Sequence, residues 1–353
     1  MSDAVLVTGA FGLVGTATVK HLAARGRHVV ATDLDTPANR KAAAALPAGV
    51  TVRWTDLTDA KAVGTLVSSV APAAIIHLAA VIPPMCYVNP GLARKVNVEA
   101  TSTLVNAAAA EPKPPRFVQA SSIATYGPRN PHRTTELLTP DTPVRAFDIY
   151  GGHKVEAEHL VRGSALDWVI LRLGGVMTTE FSLGMGPDML YFEGLLPSDG
   201  RLQTVDVRDV AHAFAAATTA DVIGQTLLIG GDDTHRQVQG EVGPAITAAM
   251  GLVGAMAKGR KGNPADDDAW FATDWMDSTK SQELLGYQHH SWPDILKETA
   301  ENVGWKRYLF RVVAPLAHEY LKRQSPYYRQ PGQYADPWGA VKRKWGRYEA
   351  DNA

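Results

Sequence analysis

The sequence predicts an α/β fold in which helices cover both faces of a doubly wound parallel sheet, with a smaller C-terminal substrate-binding lobe beside it. Three observations support this prediction. Short apolar runs alternate with helical patterns through residues 5–122, in the order of five strands and four helices. The apolar runs are continuous, as in strands that are buried on both faces. The first run leads into three glycines spaced three residues apart, which is typical of a tight strand-to-helix turn.

Further patterns extend the fold beyond residue 122. A helix is predicted from Tyr150 to Val161, a sixth strand at 167–172, a strand entering a helix at 202–220 and a strand at 225–229. Helices are also predicted at 97–110, 237–250 and 278–286. We therefore divide the chain into a dinucleotide-binding domain at 1–173, to which 201–230 returns, a substrate-binding lobe at 174–300, and a C-terminal extension at 301–353.

The composition is that of an ordinary globular chain, with 45% hydrophobic and 20% charged residues among 353. A net charge of -1 gives no general reason to expect a nucleic-acid partner. The single cysteine, Cys86, excludes an internal disulfide and suits a reducing compartment. No signal-peptide pattern and no apolar run of about 18 residues is seen. We therefore expect a cytoplasmic protein with no transmembrane segment, no nucleic-acid partner and no metal site.

The glycine turn is predicted to bind the pyrophosphate of a dinucleotide, because a helix N-terminus offers free N–H groups and a favourable dipole. Gly9 would permit the sharp turn, Gly12 the close approach of the pyrophosphate, and Gly15 the close packing of helix on strand. Asp33, at the end of the second strand, could accept hydrogen bonds from ribose hydroxyls and would repel a 2′-phosphate. It therefore favours NAD over NADP, although it could instead only cap the next helix, and Arg40 nearby could meet a phosphate.

Two later strand ends complete the predicted cofactor site. Asp56 could accept from the adenine amino group, or it could simply cap the helix that starts near Asp59. The small residues of 78–80 would let a flat ring lie against the backbone. His77, within the same apolar strand, is interpreted as a structural histidine.

The predicted chemistry depends on Ser122, at the end of the fifth strand, and on Tyr150 and Lys154, four residues apart on one helix face. A nearby ammonium favours the phenolate form of a tyrosine. Tyr150 could then remove a hydroxyl proton while hydride leaves the adjacent carbon, and Ser122 would hold the same oxygen. A Tyr-x-x-x-Lys pair also occurs by chance as a surface contact, so the pair gains meaning only from its position after Ser122 and the glycine turn.

Taken together, Thr8 to Gly15, Asp56-Leu57, Leu78-Ala79-Ala80, Ala120-Ser121-Ser122, Tyr126-Gly127 and Tyr150 to Lys154 resemble the extended short-chain dehydrogenase/reductase family. The resemblance implies a Rossmann fold, bound NAD(P), a catalytic triplet of Ser122, Tyr150 and Lys154, and a supporting role for Asn97. It also implies a homodimer formed through the helices that hold Asn97 and the Tyr–Lys pair. The predicted cofactor contacts are Gly9, Phe11, Gly12, Leu13, Gly15, Asp33, Asp56, Leu57, Leu78, Ala79, Ala80, Asn97, Tyr150 and Lys154.

Departures from the family's patterns bear on the substrate. Gly175 stands where the family's sugar-nucleotide epimerases usually carry an asparagine that holds the diphosphate, and Ile123-Ala124 replaces the Asp-Glu pair of the 4,6-dehydratases. The loop at 81–87 is apolar, as are Met177, Phe181, Met185, Met189, Leu190 and Tyr191, which are either core residues or the wall of a pocket for a neutral alcohol or ketone. Asp206 and Arg208 are either polar substrate contacts or a structural ion pair. The predicted substrate contacts are Val81, Tyr87, Ser122, Gly175, Met177 and Asp206.

The sequence thus predicts an NAD-dependent oxidoreductase that interconverts a secondary alcohol and a carbonyl. A sugar-nucleotide epimerase is the rival enzyme, and a non-catalytic NAD(P)-sensing regulator is a third alternative that the retained tyrosine disfavours. From residue 305 onward the chain holds ten Lys or Arg against four Asp or Glu, with interleaved aromatic residues. We interpret this extension as a solvated helix plus a packed arm, with a membrane-surface or nucleic-acid role as the alternatives.

Overall fold

The computed structural model describes residues 3–180 and 186–351. Its main feature is a seven-stranded sheet with the strand order β3-β2-β1-β4-β5-β6-β9, in which all neighbouring strands run parallel. The strands are β1 Val5–Thr8, β2 Val29–Asp33, β3 Thr51–Trp54, β4 Ala74–His77, β5 Arg116–Ser122, β6 Trp168–Leu173, β7 Gly175–Met177, β8 Arg201–Asp206, β9 Gln225–Ile229 and β10 Arg236–Val238. The strand order reverses between β1 and β4, so a crevice forms at the carboxyl ends of these strands.

Helices cover both faces of this sheet, as the alternation of strands and helices predicts. They are α1 Leu13–Ala24, α2 Pro37–Ala43, α3 Ala60–Val70, α4 Met85–Val88, α5 Pro90–Arg94, α6 Ala100–Ala109, α7 Ile149–Arg162, α8 Pro187–Leu195, α9 Val207–Ala217, α10 Gln239–Ala249, α11 Thr279–Leu285, α12 Trp292–Val303, α13 Lys306–Gln324 and α14 Pro337–Trp345. Alternate side chains of β1 enter the two cores: Val5 and Val7 pack with α1 and α9, and Leu6 with α3 and α6. The parallel sheet is therefore buried on both faces, which confirms the predicted fold class.

A second sheet of three strands lies in the C-terminal half, in the order β10-β8-β7. Strand β8 runs parallel to β7 and antiparallel to β10. Of the segment 201–230, β9 joins the large sheet and α9 packs on α1, whereas β8 belongs to the small sheet. The division of the chain into a cofactor domain and a substrate lobe stays a prediction.

The C-terminal extension folds back onto the start of α7. The Ile149 N–H donates to the Tyr348 carbonyl at 2.6 Å, and Asp148 forms an antiparallel bridge with Glu349. The Trp345 ring stacks on Tyr87 with 5.9 Å between ring centroids. Residues 345–351 are thus part of the structure around the start of α7. Within 3–180 and 186–351, no helix has both the length and the apolar character needed to cross a membrane.

One helix differs from its predicted form. The sequence predicts a single helix at 97–110, but the chain forms a π-helical turn at Lys95–Glu99 and then α6. A π-turn inserts one residue into the helical repeat, so it shifts the face on which the preceding side chains lie. Asn97 lies inside this turn, and its contacts are described below.

Candidate active site

The glycine turn requires glycine at two of its three positions. Gly9 has a φ of +63°, and a Cβ placed there would lie 2.7 Å from the Ala79 nitrogen. A Cβ at Gly15 would collide with the Gly9 carbonyl oxygen. Gly12 precedes α1, which begins just beyond the carboxyl end of β1, so the first N–H groups of α1 lie at that edge of the sheet. No side chain caps these N–H groups. The turn therefore fits a pyrophosphate at this helix end.

Asp33 lies beside the glycine turn, at the end of β2. One of its carboxylate oxygens accepts from the Phe11 N–H at 3.1 Å and the other from the Leu34 N–H at 2.8 Å. The cap of α2 is Thr36 rather than Asp33. Arg40 pairs with Asp35, with 2.5 Å between Nε and Oδ1, so its guanidinium is neutralised locally. These contacts favour a ribose with a free 2′-hydroxyl over one carrying a 2′-phosphate.

Asp56 follows β3, where the sequence left two roles open. Its Oδ1 accepts from the backbone N–H and the hydroxyl of Thr58, at 2.9 and 2.7 Å. Asp59 is the residue that caps α3. The capping role therefore belongs to Asp59, and the predicted contact of Asp56 and the buried Leu57 with adenine stays a prediction.

Ser122, Tyr150 and Lys154 line one cavity of about 440 Å³ that also reaches Gly9, Gly12 and Leu13 of the turn. Strand β5 ends at Ser122, and α7 carries the other two side chains on one face. Lys154 Nζ donates to the Ala120 carbonyl at 2.8 Å and lies 5.6 Å from the Tyr150 ring centroid. The Ser122 hydroxyl accepts from the Ala124 N–H at 3.1 Å. Fold topology therefore places the three predicted groups beside the predicted pyrophosphate site.

Burial acts on both ionisable groups of this triplet. It raises the pKa of Tyr150 above its usual value, as do Cys86 and Asp148 nearby, while a hydrogen bond with Ser122 acts in the opposite direction. Burial lowers the pKa of Lys154 to about 8, and the carboxylate of Glu158 opposes that change. At neutral pH the cavity thus contains a neutral phenol beside an ammonium group. An additional positive charge near Tyr150 would favour the phenolate.

A buried ion-pair network lies behind the triplet, and the sequence analysis missed it. Glu158 accepts from Arg172 through Nε at 2.8 Å and Nη2 at 2.7 Å, and from the Ser121 hydroxyl at 2.6 Å. Arg172 also donates to the Tyr126 hydroxyl at 2.7 Å. Both Ser121 and Ser122 line the cavity, but the Ser121 hydroxyl is committed to Glu158 in this network. The i,i+4 spacing of Glu158 and Arg162, which pair at 3.0 Å, is the sequence signal that could have drawn attention to Glu158.

The N-terminus of α7 is held by a second buried pair. Asp148 accepts from the Tyr150 and Gly151 N–H groups at 3.2 and 3.1 Å and from the Tyr87 hydroxyl at 2.6 Å. Tyr87 is fully buried and does not line the cavity. The predicted substrate contact of Tyr87 is therefore wrong for this structure, because its hydroxyl is committed to Asp148. The Asp148 carboxylate thus links the Tyr87 hydroxyl to the backbone N–H of Tyr150.

Asn97 holds the loop that follows β4. Its side-chain oxygen accepts from the Val81 N–H at 2.7 Å, and its amide donates to the Val81 carbonyl at 2.9 Å. The ring nitrogens of His77 are both bonded, to Thr8 at 2.7 Å and to Thr101 at 3.0 Å, which matches the predicted structural role. Asn97 thus shapes the cavity mouth through the backbone of this loop, whose Ile82 and Pro83 line the cavity in place of Val81.

The other predicted substrate residues separate into two groups. Gly175 lines the cavity, and a Cβ there would meet the Leu202 side chain at 3.0 Å. Met177 instead packs against a separate apolar cluster. Asp206 is fully buried, caps α9 and pairs with Arg208 at 2.7 Å, so it is the structural ion pair rather than a substrate contact. The predicted pocket residues Phe181 and Met185 lie outside the described residues.

The rest of the cavity wall is mainly apolar. Phe192 of α8 and Phe271 face the cavity together with Leu202 and Val176. Among the described residues that line it, Lys154 is the only basic side chain. The nearby Arg201 is held by Asp274, with 3.4 Å between its guanidinium and a carboxylate oxygen. An anionic group on a ligand would therefore find little positive charge within this cavity.

Comparison with known proteins identifies the family. The sequence model of the NAD-dependent epimerase/dehydratase family matches residues 5–230. The chain is 27% identical over 267 residues to the epimerase family protein SDR39U1 of Bos taurus, covering 70% of this chain and 80% of the bovine protein. It is 31% identical over 159 residues to an uncharacterized epimerase/dehydratase of Staphylococcus saprophyticus, covering 44% and 47% of the two chains.

Solved structures show the same fold. The UDP-glucose 4-epimerase of Thermus thermophilus in complex with NAD has a TM-score of 0.68 and 23% identity, covering 85% of this chain and 98% of its own. The enzyme WbmH of Bordetella bronchiseptica in complex with NAD⁺ has a TM-score of 0.67 and 24% identity, covering 87% and 99%. The family match spans well over half of the chain and agrees with the motifs and the parallel sheet, so this chain belongs to the NAD-dependent epimerase/dehydratase family, within the extended short-chain dehydrogenases/reductases.

Proposed function

We propose that this protein is an NAD-dependent epimerase that inverts a secondary alcohol carbon of a sugar-type substrate. The observation that carries the proposal is that Ser122, Tyr150 and Lys154 line the same cavity as the glycine turn. Several structural neighbours are sugar-nucleotide 4-epimerases, among them UDP-glucose 4-epimerase and UDP-glucuronic acid 4-epimerase, and epimerisation is the rival prediction from the sequence. We therefore propose epimerisation of the substrate rather than its net oxidation.

The residues present fit NAD. The turn excludes any side chain at Gly9 and Gly15, and the Asp33 carboxylate lies at the end of β2 beside it. Bound NAD would supply the group that accepts hydride from the substrate and gives it back. The Gly9 to Gly15 turn would bind the pyrophosphate, Asp33 the adenosine ribose, and Lys154 the nicotinamide ribose.

The chain's own groups would handle the proton. In the oxidation step Tyr150, as phenolate, removes the proton of the substrate hydroxyl while the hydrogen on the same carbon leaves as hydride. Ser122 donates a hydrogen bond to the substrate oxygen and fixes its position. For the product to be an epimer, the resulting ketone would present its opposite face in the cavity, and Tyr150 would then return the proton to the same oxygen. No net oxidation occurs, so the cofactor is not consumed.

The test is turnover of sugar nucleotides and free aldoses with NAD in catalytic amount, followed by NMR of the product. The proposal expects an epimer to form without accumulation of reduced nicotinamide. The Tyr150→Phe variant should lose about 10²–10⁴-fold in rate while its NAD affinity stays within a few-fold. Tyr191→Phe is the matched control, because the Tyr191 hydroxyl donates to the Ala340 carbonyl outside the triplet. Full activity of Tyr150→Phe would refute the mechanism.

A net alcohol dehydrogenase or ketone reductase is the second candidate, favoured by the apolar cavity wall. Phe192, Phe271 and Leu202 suit an apolar ligand, and Gly175 offers no amide for a diphosphate. The same triplet would perform this reaction, with hydride kept on the cofactor. Stoichiometric absorbance of reduced nicotinamide from an alcohol, without an epimer, would select this candidate.

We also propose a homodimer formed through α6 and α7, as the family resemblance implies. The two helices lie side by side and line a shallow groove between Ser102 and His159. The mass in solution, measured by light scattering, tests this proposal.

A further inference from the structure

Helix α13 of the C-terminal extension carries a stripe of large apolar side chains that face solvent. Their exposed fractions range from 43% to 78%. The stripe consists of Trp305, just before the helix, and Tyr308, Leu309, Val312, Val313, Leu316 and Tyr320. At 100° per residue, these positions occupy an arc of about 140° on one side of the helix. The stripe is unbroken from Trp305 to Leu316, and toward the end of the helix of about 28 Å the same arc also holds Glu319, Tyr320 and Arg323.

The opposite side of α13 is attached to the rest of the protein. Ala314 is buried there, and the His318 ring bonds to the Gly254 carbonyl at 3.0 Å. The Tyr327 hydroxyl, just beyond the helix, donates to the carbonyl of Leu195 in α8 at 2.7 Å. The helix is thus docked through one face and leaves an organised apolar face outside.

Basic side chains border the stripe. Helix α13 holds five Lys or Arg (306, 307, 311, 322 and 323) against one acidic residue, Glu319. Glu319 is itself neutralised by Arg323 at 3.2 Å and Lys322 at 3.9 Å. Arg311 and Lys322 lie along one edge of the stripe, and Lys306 lies near the other. A partner for this face must accordingly be apolar at its centre and anionic at its rim.

We propose that α13 binds the surface of an anionic lipid bilayer, with the apolar stripe in the boundary between headgroups and acyl chains and the basic rim on the headgroups. Trp and Tyr favour that boundary, and each Lys or Arg near it is attracted to acidic lipid. A second copy of the chain fits this face of α13 less well than a bilayer does, because pairing two stripes would place their basic rims against each other. This inference does not depend on the proposed catalytic function.

The experiment is flotation of the full chain with vesicles of phosphatidylcholine alone or with about one third phosphatidylglycerol. The proposal expects recovery with the anionic vesicles only, reduced by high salt because the rim contacts are screened. Arg311→Gln and Lys306→Gln should each weaken the partition about fivefold. Val312→Asp with Leu316→Asp should reduce it by about tenfold or more, because two charges enter the stripe.

Ile223→Asp is the matched control, since Ile223 is an exposed apolar residue outside α13, and it should leave the partition unchanged. Thermal unfolding of each variant checks that the fold is retained. The proposal is refuted if the wild-type chain does not float with anionic vesicles, or if the Val312/Leu316 variant floats as well as the wild type does. It is also refuted if these two aspartates only dissociate a dimer in light scattering, which would identify the face as a self-association surface.

Discussion

Replacing Glu158 by glutamine should destabilise the fold and also lower the pKa of Lys154, the lysine of the proposed catalytic triplet. Glu158 is buried and accepts from Arg172, Ser121 and Arg162. Glutamine keeps the shape but removes the charge, so Arg172, which is 1% exposed, is left as an uncompensated buried cation. Its remaining partner is the Tyr126 hydroxyl, which carries no charge.

The expected loss is about 3–5 kcal/mol of the free energy of unfolding, the usual result of removing one partner of a buried pair. With about 2.1 cal/mol/K per residue, a chain of 353 residues has an unfolding entropy of about 0.74 kcal/mol/K. The melting temperature should therefore fall by about 4–7 °C. The Glu158 carboxylate raises the pKa of Lys154, so its removal should lower that pKa below about 8.

Calorimetry measures the first effect and the pH dependence of turnover the second. Deprotonation of Lys154 at lower pH should move the alkaline decline of activity toward neutral pH. Glu156→Gln is the control, because Glu156 pairs with Arg94 at 2.9 Å on a more exposed part of the same helix and should cost about 1 kcal/mol or less. The role assigned to Glu158 is wrong if the two variants have the same melting temperature, or if the alkaline decline of activity does not move.

Three further predictions concern the cofactor site and the start of α7. Gly15→Ala should reduce NAD affinity about tenfold or more, since its Cβ collides with the Gly9 carbonyl; calorimetric titration that shows wild-type affinity would contradict the packing argument. Asp33→Asn should lower the preference for NAD over NADP, and an unchanged ratio of the two dissociation constants would remove Asp33 from the ribose site. Tyr87→Phe should cost about 1.5–3 kcal/mol in denaturant unfolding, because the buried Asp148 loses its hydroxyl donor; a loss below about 0.5 kcal/mol would show that this bond is not needed.

The sheet and the placement of the three predicted catalytic side chains around one cavity were accessible from the sequence because they depend on local patterns. Continuous apolar runs marked the buried parallel strands, and the i,i+4 spacing of Tyr150 and Lys154 placed both on one face of α7. Ser122 followed from its position at a strand end. Once the parallel topology was inferred, the carboxyl ends of β1 and β5 had to meet at one edge.

The remaining parts of the site depend on contacts between distant segments. Tyr87 and Asp148 are 61 residues apart, and no local pattern distinguishes a tyrosine that faces substrate from one that caps a helix through a carboxylate. The short spacing of Asp206 and Arg208 allowed both a substrate role and an ion pair, and only burial decides for the ion pair. The π-turn around Asn97 was also not predictable, because the apolar pattern of this segment is equally that of a regular α-helix.

The pairing of residues 147–149 with 348–350 has a consequence for folding. The bond from the Ile149 N–H to the Tyr348 carbonyl closes a loop of about 200 residues, which is a slow contact to form because its entropy cost precedes any gain. Strands β1 to β5 pair over shorter distances and can assemble earlier. The cavity around Tyr150 should thus be the last part of the protein to become ordered, and the amide of Ile149 should gain protection from hydrogen exchange later than the amides of β4 and β5 during refolding.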